Sequence, residues 1–268
     1  MIELLINLCK KHKIYGLGIN SKEITYSFGK TIEKSLKLND ISDILADLRL
    51  QKDADEIKNI RKSCHIAHLA VEYAEKLLKL GLSEIDIYFK IEEFFAKNGV
   101  KQSFPTIVAS GPNSALPHHV PTNRKIKSND TVLIDLGCVY KGYCSDLTRT
   151  FYLGKISKSQ NEVYGLVKKA YFGAIKAVRS GTACKTIDFI ARNVIETGGY
   201  ADKFIHTTGH GVGIEIHESP RLSKKDKTIL KTNMVVTVEP GIYLKGRFGV
   251  RIEDTLLVTN KGCEILTR

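Results

Sequence analysis

The feature that most constrains this chain is a pair of carboxylates placed inside each of two strongly β-prone hairpins. Residues 131–153, TVLIDLGCVYKGYCSDLTRTFYL, read as two β runs around Tyr140-Lys141-Gly142, with Asp135 in the first run and Asp146 in the second. Residues 234–259 repeat the arrangement around Lys245-Gly246-Arg247, with Glu239 and Glu253. Val132, Leu133, Ile134 and Leu136 surround Asp135, and Val235, Val236, Val238 and Ile242 surround Glu239, a pattern of strands buried on both faces. A tight turn at the junction of Tyr140 and Lys141 puts Asp135 opposite Asp146, and a turn centred on Gly246 puts Glu239 opposite Glu253. Like charges facing each other in a buried sheet resist joint ionisation unless a cation lies between them. A multivalent metal is therefore expected.

A nitrogen ligand is available in residues 206–217, HTTGHGVGIEIH, where His206, His210 and His217 lie among Gly209, Gly211 and Gly213. Glycines there allow unusual backbone angles and close approach, and they make His210 the leading candidate. Four carboxylates and one imidazole suit two divalent ions, four negative charges against four positive. Mn(II) is favoured, with Co(II), Zn(II) and Fe(II) as the other candidates. The six cysteines form no CxxC pair, which argues against a closed structural zinc site and for buried thiols in a reducing compartment. Cys138 and Cys144 come almost opposite each other in the first hairpin, and packing thiols are expected there rather than ligands or a disulfide.

Each hairpin follows two helical stripes. Ile57, Ile60, Cys64, Ala67, Val71, Ala74 and Leu78 recur at helical spacing after Asp53, and Ser83 with Asp86 starts a second helix carrying Ile87, Ile91 and Phe95. In the second half Ser159 with Glu162 reads as a capping box before Val163, Val167, Ala170 and Ala174, and Ile187, Ala191 and Ile195 mark a fourth helix. Asp135 and Glu239 stand 104 positions apart, Asp146 and Glu253 107. One order of elements at a nearly constant offset predicts two related α+β halves about a pseudo-twofold axis. Residues 1–52 fall outside this repeat and are read as an appendage, with a short helical start and a strand at 24–28. Residues 53–268 are read as the catalytic domain.

Composition closes several classes. With 43% hydrophobic and 26% charged residues the chain is a folded one, and no stretch approaches the roughly 20 apolar residues of a membrane helix, so a cytoplasmic location is expected. The net charge of +12 comes from lysines spread along the sequence without a nucleic-acid motif, so neither nucleic acid nor membrane is an expected partner.

Asp135 in IDLG, Asp146 in SDLTRT, His210 in TGHGVG, Glu239 in VEPGIY and Glu253 in VRIED resemble the metal ligands of the methionine aminopeptidase, aminopeptidase P and prolidase family. The resemblance runs from about residue 45 to the C-terminus and implies the pita-bread fold. LPHHVPTN, with His118, and the histidines at 206, 210 and 217 are most similar to the proline-directed branch. The resemblance implies hydrolysis of the bond between an N-terminal residue and a following proline, of the Xaa-Pro aminopeptidase type. Xaa-Pro dipeptidase, methionine aminopeptidase and a non-catalytic binding module are the alternatives. It further implies Glu239 as the proton carrier, His217 and His118 near the reacting carbonyl, and His206 lining the pocket. Arg251 and Thr148 are expected behind the ligands, with Arg251 also near the substrate. His119 is expected to be a solvated loop residue. Proline-directed relatives carry a full N-terminal domain that helps form their dimer; only about 50 residues precede the catalytic part here. A homodimer is one expected assembly.

Overall fold

The computed structural model describes residues 1–268 and divides them into two compact units, Met1–Arg49 and Leu50–Arg268. The first unit holds α1 (Ile2–Lys11), β1 (Gly16–Ile19), α2 (Tyr26–Glu33), β2 (Lys37–Asp40) and most of α3 (Ser42–Leu50). Strands β1 and β2 pair in parallel across the α2 crossover, and Cys9, Ile32 and Leu36 form its small core. Residues 24–28, expected as a strand, instead begin α2. The Thr25 hydroxyl accepts the Phe28 amide at 3.3 Å, and this N-cap overrides the β-prone composition.

The second unit runs α4 (Ala54–Leu77), α5 (Glu84–Lys97), β3 (Lys101–Gln102), β4 (Ile107–Ser110), β5 (Thr131–Leu136), β6 (Cys138–Tyr140), β7 (Tyr143–Cys144) and β8 (Leu147–Tyr152). It continues with α6 (Lys158–Ala177), α7 (Cys184–Thr197), β9 (Gly209–Gly211), β10 (Glu218–Leu222), β11 (Val235–Val238), β12 (Gly241–Leu244), β13 (Phe248–Arg251), β14 (Asp254–Val258) and β15 (Cys263–Ile265). The apolar stripes that signalled the helices are the faces they bury. Ala67, Ala70, Ile87, Ile91 and Phe95 pack on Val132, Ile134 and Leu147 in one half; Val163, Val167, Ile187 and Ile195 pack on Val236, Val238 and Leu256 in the other. Two helices over a hairpin sheet thus occur twice, an α+β architecture. Ser83 caps α5 with its expected partner, Asp86, and α4 carries a capping box of its own, Asp53 with Glu56. The α6 capping box is Ser157 with Gln160 rather than Ser159 with Glu162. No helix is long and apolar enough to cross a membrane.

The first hairpin turns one residue later than its symmetry of charges suggested. Lys141 and Gly142 both take positive φ, 48° and 86°, and Tyr140 pairs with Tyr143, a two-residue turn that matches strand twist. Asp135 therefore faces Thr148, and Asp146 takes the diagonal position two residues before it. The second hairpin has the expected centre: Gly241 pairs with Arg251 and Val238 with Asp254, leaving Glu239 and Glu253 in the gap between two ladders. The halves meet along β8 and the β13–β14 strand. There the Glu253 amide donates to the Thr148 carbonyl at 3.2 Å, and the Thr150 hydroxyl bonds the Arg251 backbone on both its N–H (3.2 Å) and C=O (2.8 Å).

Candidate metal centre and active site

Glycines bring the imidazole in. On β9, between β10 and β11, a Cβ at Gly209 would lie 2.0 Å from the Thr237 carbonyl oxygen, and one at Gly211 would lie 2.2 Å from that of Ser219. Neither glycine needs a positive φ; close approach is what both positions require. His210 is thereby buried, with Nδ1 3.0 Å from the Gly211 carbonyl, a bond that puts the proton on Nδ1 and leaves Nε2 as the electron-pair donor. That Nε2 lies 3.4 Å from Asp146 Oδ2 and 3.5 Å from Glu239 Oε1. Asp146, His210 and Glu253 each offer one ligand atom, all within 4.8 Å of one another.

Behind these groups lies the guanidinium of Arg251, buried at 3% exposure. It donates through Nη2 to Asp135 Oδ2, through Nη1 to the Tyr243 hydroxyl at 2.7 Å, and through Nε to Thr148 Oγ1 at 3.0 Å. Thr148 in turn donates to Glu253 Oε2 at 2.6 Å. Each of its three nitrogens donates to a protein group, and Arg251 thereby holds Asp135 directly and Glu253 through Thr148. Tyr243 also meets His206, whose Nε2 is 2.8 Å from its hydroxyl while Nδ1 lies 3.8 Å from Glu239 Oε2. Tyr243 lies on a fully buried strand, and no spacing along the sequence links it to His206 or Arg251.

The charges conflict as the sequence required. Burial, then Asp135 and Glu239, push the Asp146 carboxyl well above its ordinary value, and burial, then Asp146, Glu239 and Asp135, do the same to Glu253. Glu239 is raised by burial, against the pull of His210 and Arg251. Asp135 Oδ1 is buried without a hydrogen-bond partner. Clustered carboxylates, an orphaned oxygen and an imidazole with its lone pair free form a donor set that fits divalent cations, which would relieve the repulsion.

A cavity of about 780 Å³ opens onto this cluster, lined by Asp135, Asp146, His210, Glu239, Glu253 and Arg251 at its base and by His118, His206, His217 and Arg221 around it. The expected site residues thus come together. Burial, with Arg251 beside it, holds His206 down to about 3, and partial desolvation with His210 and Arg221 holds His217 down to about 4, so both are neutral near pH 7. His217 stacks edge-on against His210 at 4.4 Å between centroids. His119, expected in solvent, is instead turned inward with its side chain 7% exposed and Nε2 2.8 Å from Glu84 Oε2. Cys138 and Cys144 are buried free thiols, and Cys144 pairs with Val139 rather than with Cys138.

Comparison with known proteins gives the same picture. The Xaa-Pro dipeptidase of Pyrococcus furiosus is 43% identical over 256 residues, 94% of this chain and 73% of that protein. The structure of an Xaa-Pro dipeptidase from Bacillus anthracis superimposes with a TM-score of 0.97 at 38% identity, over all of this chain and 76% of that one. That of an X-Pro aminopeptidase from Thermotoga maritima gives 0.93 at 35% identity, over all of this chain and 77% of that one. The two pseudo-symmetric halves are those of the pita-bread fold. Residues 58–260 match the model of metallopeptidase family M24. A donor cluster suited to divalent metal, on a fold and sequence shared this widely, makes the chain a metal-dependent hydrolase and a member of metallopeptidase family M24.

Proposed function

We propose that the protein is an Xaa-Pro dipeptidase, splitting dipeptides whose second residue is proline. The 43% identity to a dipeptidase over nearly the whole chain carries this reading and favours it over the aminopeptidase that the motifs alone put first. Asp135, Asp146, His210, Glu239 and Glu253 would hold two divalent ions, with Mn(II) favoured. Such ions supply Lewis-acid charge and lower the pKa of the attacking water.

The chain's own groups do the rest. Glu239, whose side chain at 16% exposure is more open to the cavity than that of Asp146 at 8%, takes a proton from the water and returns it to the leaving imide nitrogen. His118 and His217 line the cavity and hydrogen-bond the carbonyl oxygen as charge develops on it. His206, neutral and bonded to Tyr243, shapes the wall beside Glu239. Arg251 and Thr148 fix the orientation of Asp135 and Glu253, on which catalytic geometry depends. Arg221 offers a guanidinium for the free carboxylate that a dipeptide retains and a longer peptide moves away.

Purified protein supplied with Mn(II) or Co(II), assayed on Ala-Pro, Ala-Pro-Ala and Met-Ala-Ser, tests the reading. Ala-Pro should be cleaved at least about tenfold faster than Ala-Pro-Ala, Met-Ala-Ser should resist, and chelation should abolish turnover. Preferred cleavage of Ala-Pro-Ala would make the enzyme an aminopeptidase. Activity on none of them, in folded metal-loaded protein, would make it a binding module.

A further inference from the structure

The loop that carries His118 is held by a carboxylate the reaction does not use. Glu84, the first residue of α5, is wholly buried, yet it lies outside the metal cluster. Its Oε1 accepts the Ser110 amide and hydroxyl, both at 2.7 Å, and the Asn113 side-chain amide at 3.0 Å. Its Oε2 accepts His119 Nε2 at 2.8 Å and the Thr122 amide and hydroxyl at 3.0 and 2.7 Å. Burial alone would raise this carboxyl; the bonds from His119, Thr122, Ser110 and Asn113 outweigh it and hold it below its ordinary value. Since Glu84 is an acceptor only, His119 must carry its proton on Nε2.

These partners bracket one segment. Ser110 ends β4, whose other end pairs Ile107 with Asp135, and Thr122 closes the loop. Between them Pro117, His118, His119, Val120 and Pro121 line the cavity, while Leu116 and Val120 are half exposed or more and gain little from packing. Ser114 is pinned separately, accepting the Gly249 amide of β13 at 2.9 Å. From Leu116 to Pro121 the side-chain tether is His119, one residue from His118. We propose that Glu84 and His119 act as a positioning pair that sets His118 in the cavity, an inference resting on the peptidase reading above. Glu84 does not line the cavity, and His119, which does, has its Nε2 turned onto Glu84; both act through His118.

The test compares kcat/KM on Ala-Pro with Mn(II) for His119→Leu, His119→Gln, Glu84→Gln, His118→Ala and the His118→Ala/His119→Leu pair. His119→Leu should lower kcat/KM about tenfold with Mn(II) content unchanged. His119→Gln, whose amide still donates to Glu84, should stay within about twofold of the parent. The double variant should be no worse than His118→Ala alone, because the two act through one element. Additive losses, or equal losses in the Gln and Leu variants, would overturn the proposal. Should Glu84→Gln fail to fold, the two His119 variants decide alone. Hydrogen exchange across residues 113–122 gives a reading independent of turnover: faster exchange in His119→Leu and not in His119→Gln is expected, and equal exchange in both refutes the tether. If the parent protein itself left Ala-Pro intact, the substrate reading would fall while exchange still judged the tether.

Discussion

Replacing Thr148 by valine removes one hydroxyl from the seam and leaves the volume unchanged. The side chain is fully buried and bridges two charged groups, donating to Glu253 Oε2 at 2.6 Å and accepting from Arg251 Nε at 3.0 Å. A hydrogen bond to a charged partner contributes about 1.5–3 kcal/mol, so losing both at the lower bound costs about 3 kcal/mol. At about 2–4 °C per kcal/mol for a chain of this size, Tm should fall by about 6–12 °C. Glu253 also loses its orienting partner, and metal affinity should drop about 10- to 100-fold. Thr148→Ser is the matched control: it keeps the hydroxyl, loses one buried methyl at about 1 kcal/mol, and should leave metal affinity unchanged. Urea unfolding of chelator-treated protein gives the stability change, and titration with Mn(II) against a competing chelator gives the affinity. If valine proves no worse than serine in both measurements, the bridge carries no energy and the reasoning is wrong.

Three further outcomes follow from the same structure. Glu239→Gln should lower kcat about 100-fold or more, measured at saturating Mn(II) so that weaker metal binding does not masquerade as lost proton transfer. The Lys52–Glu218 pair, 3.0 Å apart with side chains 2% and 5% exposed, should show strong coupling: Lys52→Met alone costs about 3–5 kcal/mol, while Lys52→Met/Glu218→Gln recovers much of it in a double-mutant cycle. Acid stability should depend on Glu84. Its folded pKa lies below the ordinary 4.5, so its contribution is complete above that value and lost as pH falls through the folded pKa, and Glu84→Gln should flatten the acid limb of unfolding free energy below about pH 4.5.

What could be read from the sequence was local or periodic. The helical stripes and the second hairpin are set by spacing along the chain, and the apolar flanks of Asp135 and Glu239 mark them as buried carboxylates, which the fold gathers with Asp146, His210 and Glu253 on one cavity. Where the fold departs from these patterns the cause is equally definite. A Lys141-Gly142 turn with two positive φ angles lacks the Asn-Gly signature, so equal spacing alone places Asp135 against Asp146, whereas in the fold it faces Thr148. Thr25 capped a helix where Ile24 and Tyr26 suggested a strand. Ser157 and Ser159 both offer a capping hydroxyl, and only the fold selects the first. Glu84 and His119 meet across 35 residues of sequence, and no periodicity links a helix start to a proline-rich loop. Tyr243 is invisible for the same reason: its partners His206 and Arg251 reach it through tertiary packing.

The division of the donors between the halves has a practical consequence. Asp135 and Asp146 precede the short connection between β8 and α6, and His210, Glu239 and Glu253 follow it, so neither portion alone owns all five of the proposed ligands. Opening the backbone at Gly154, on that connection, would turn the enzyme into a complementation pair in which hydrolysis reports reassembly. Divalent ions would then act as the adhesive joining two otherwise silent fragments.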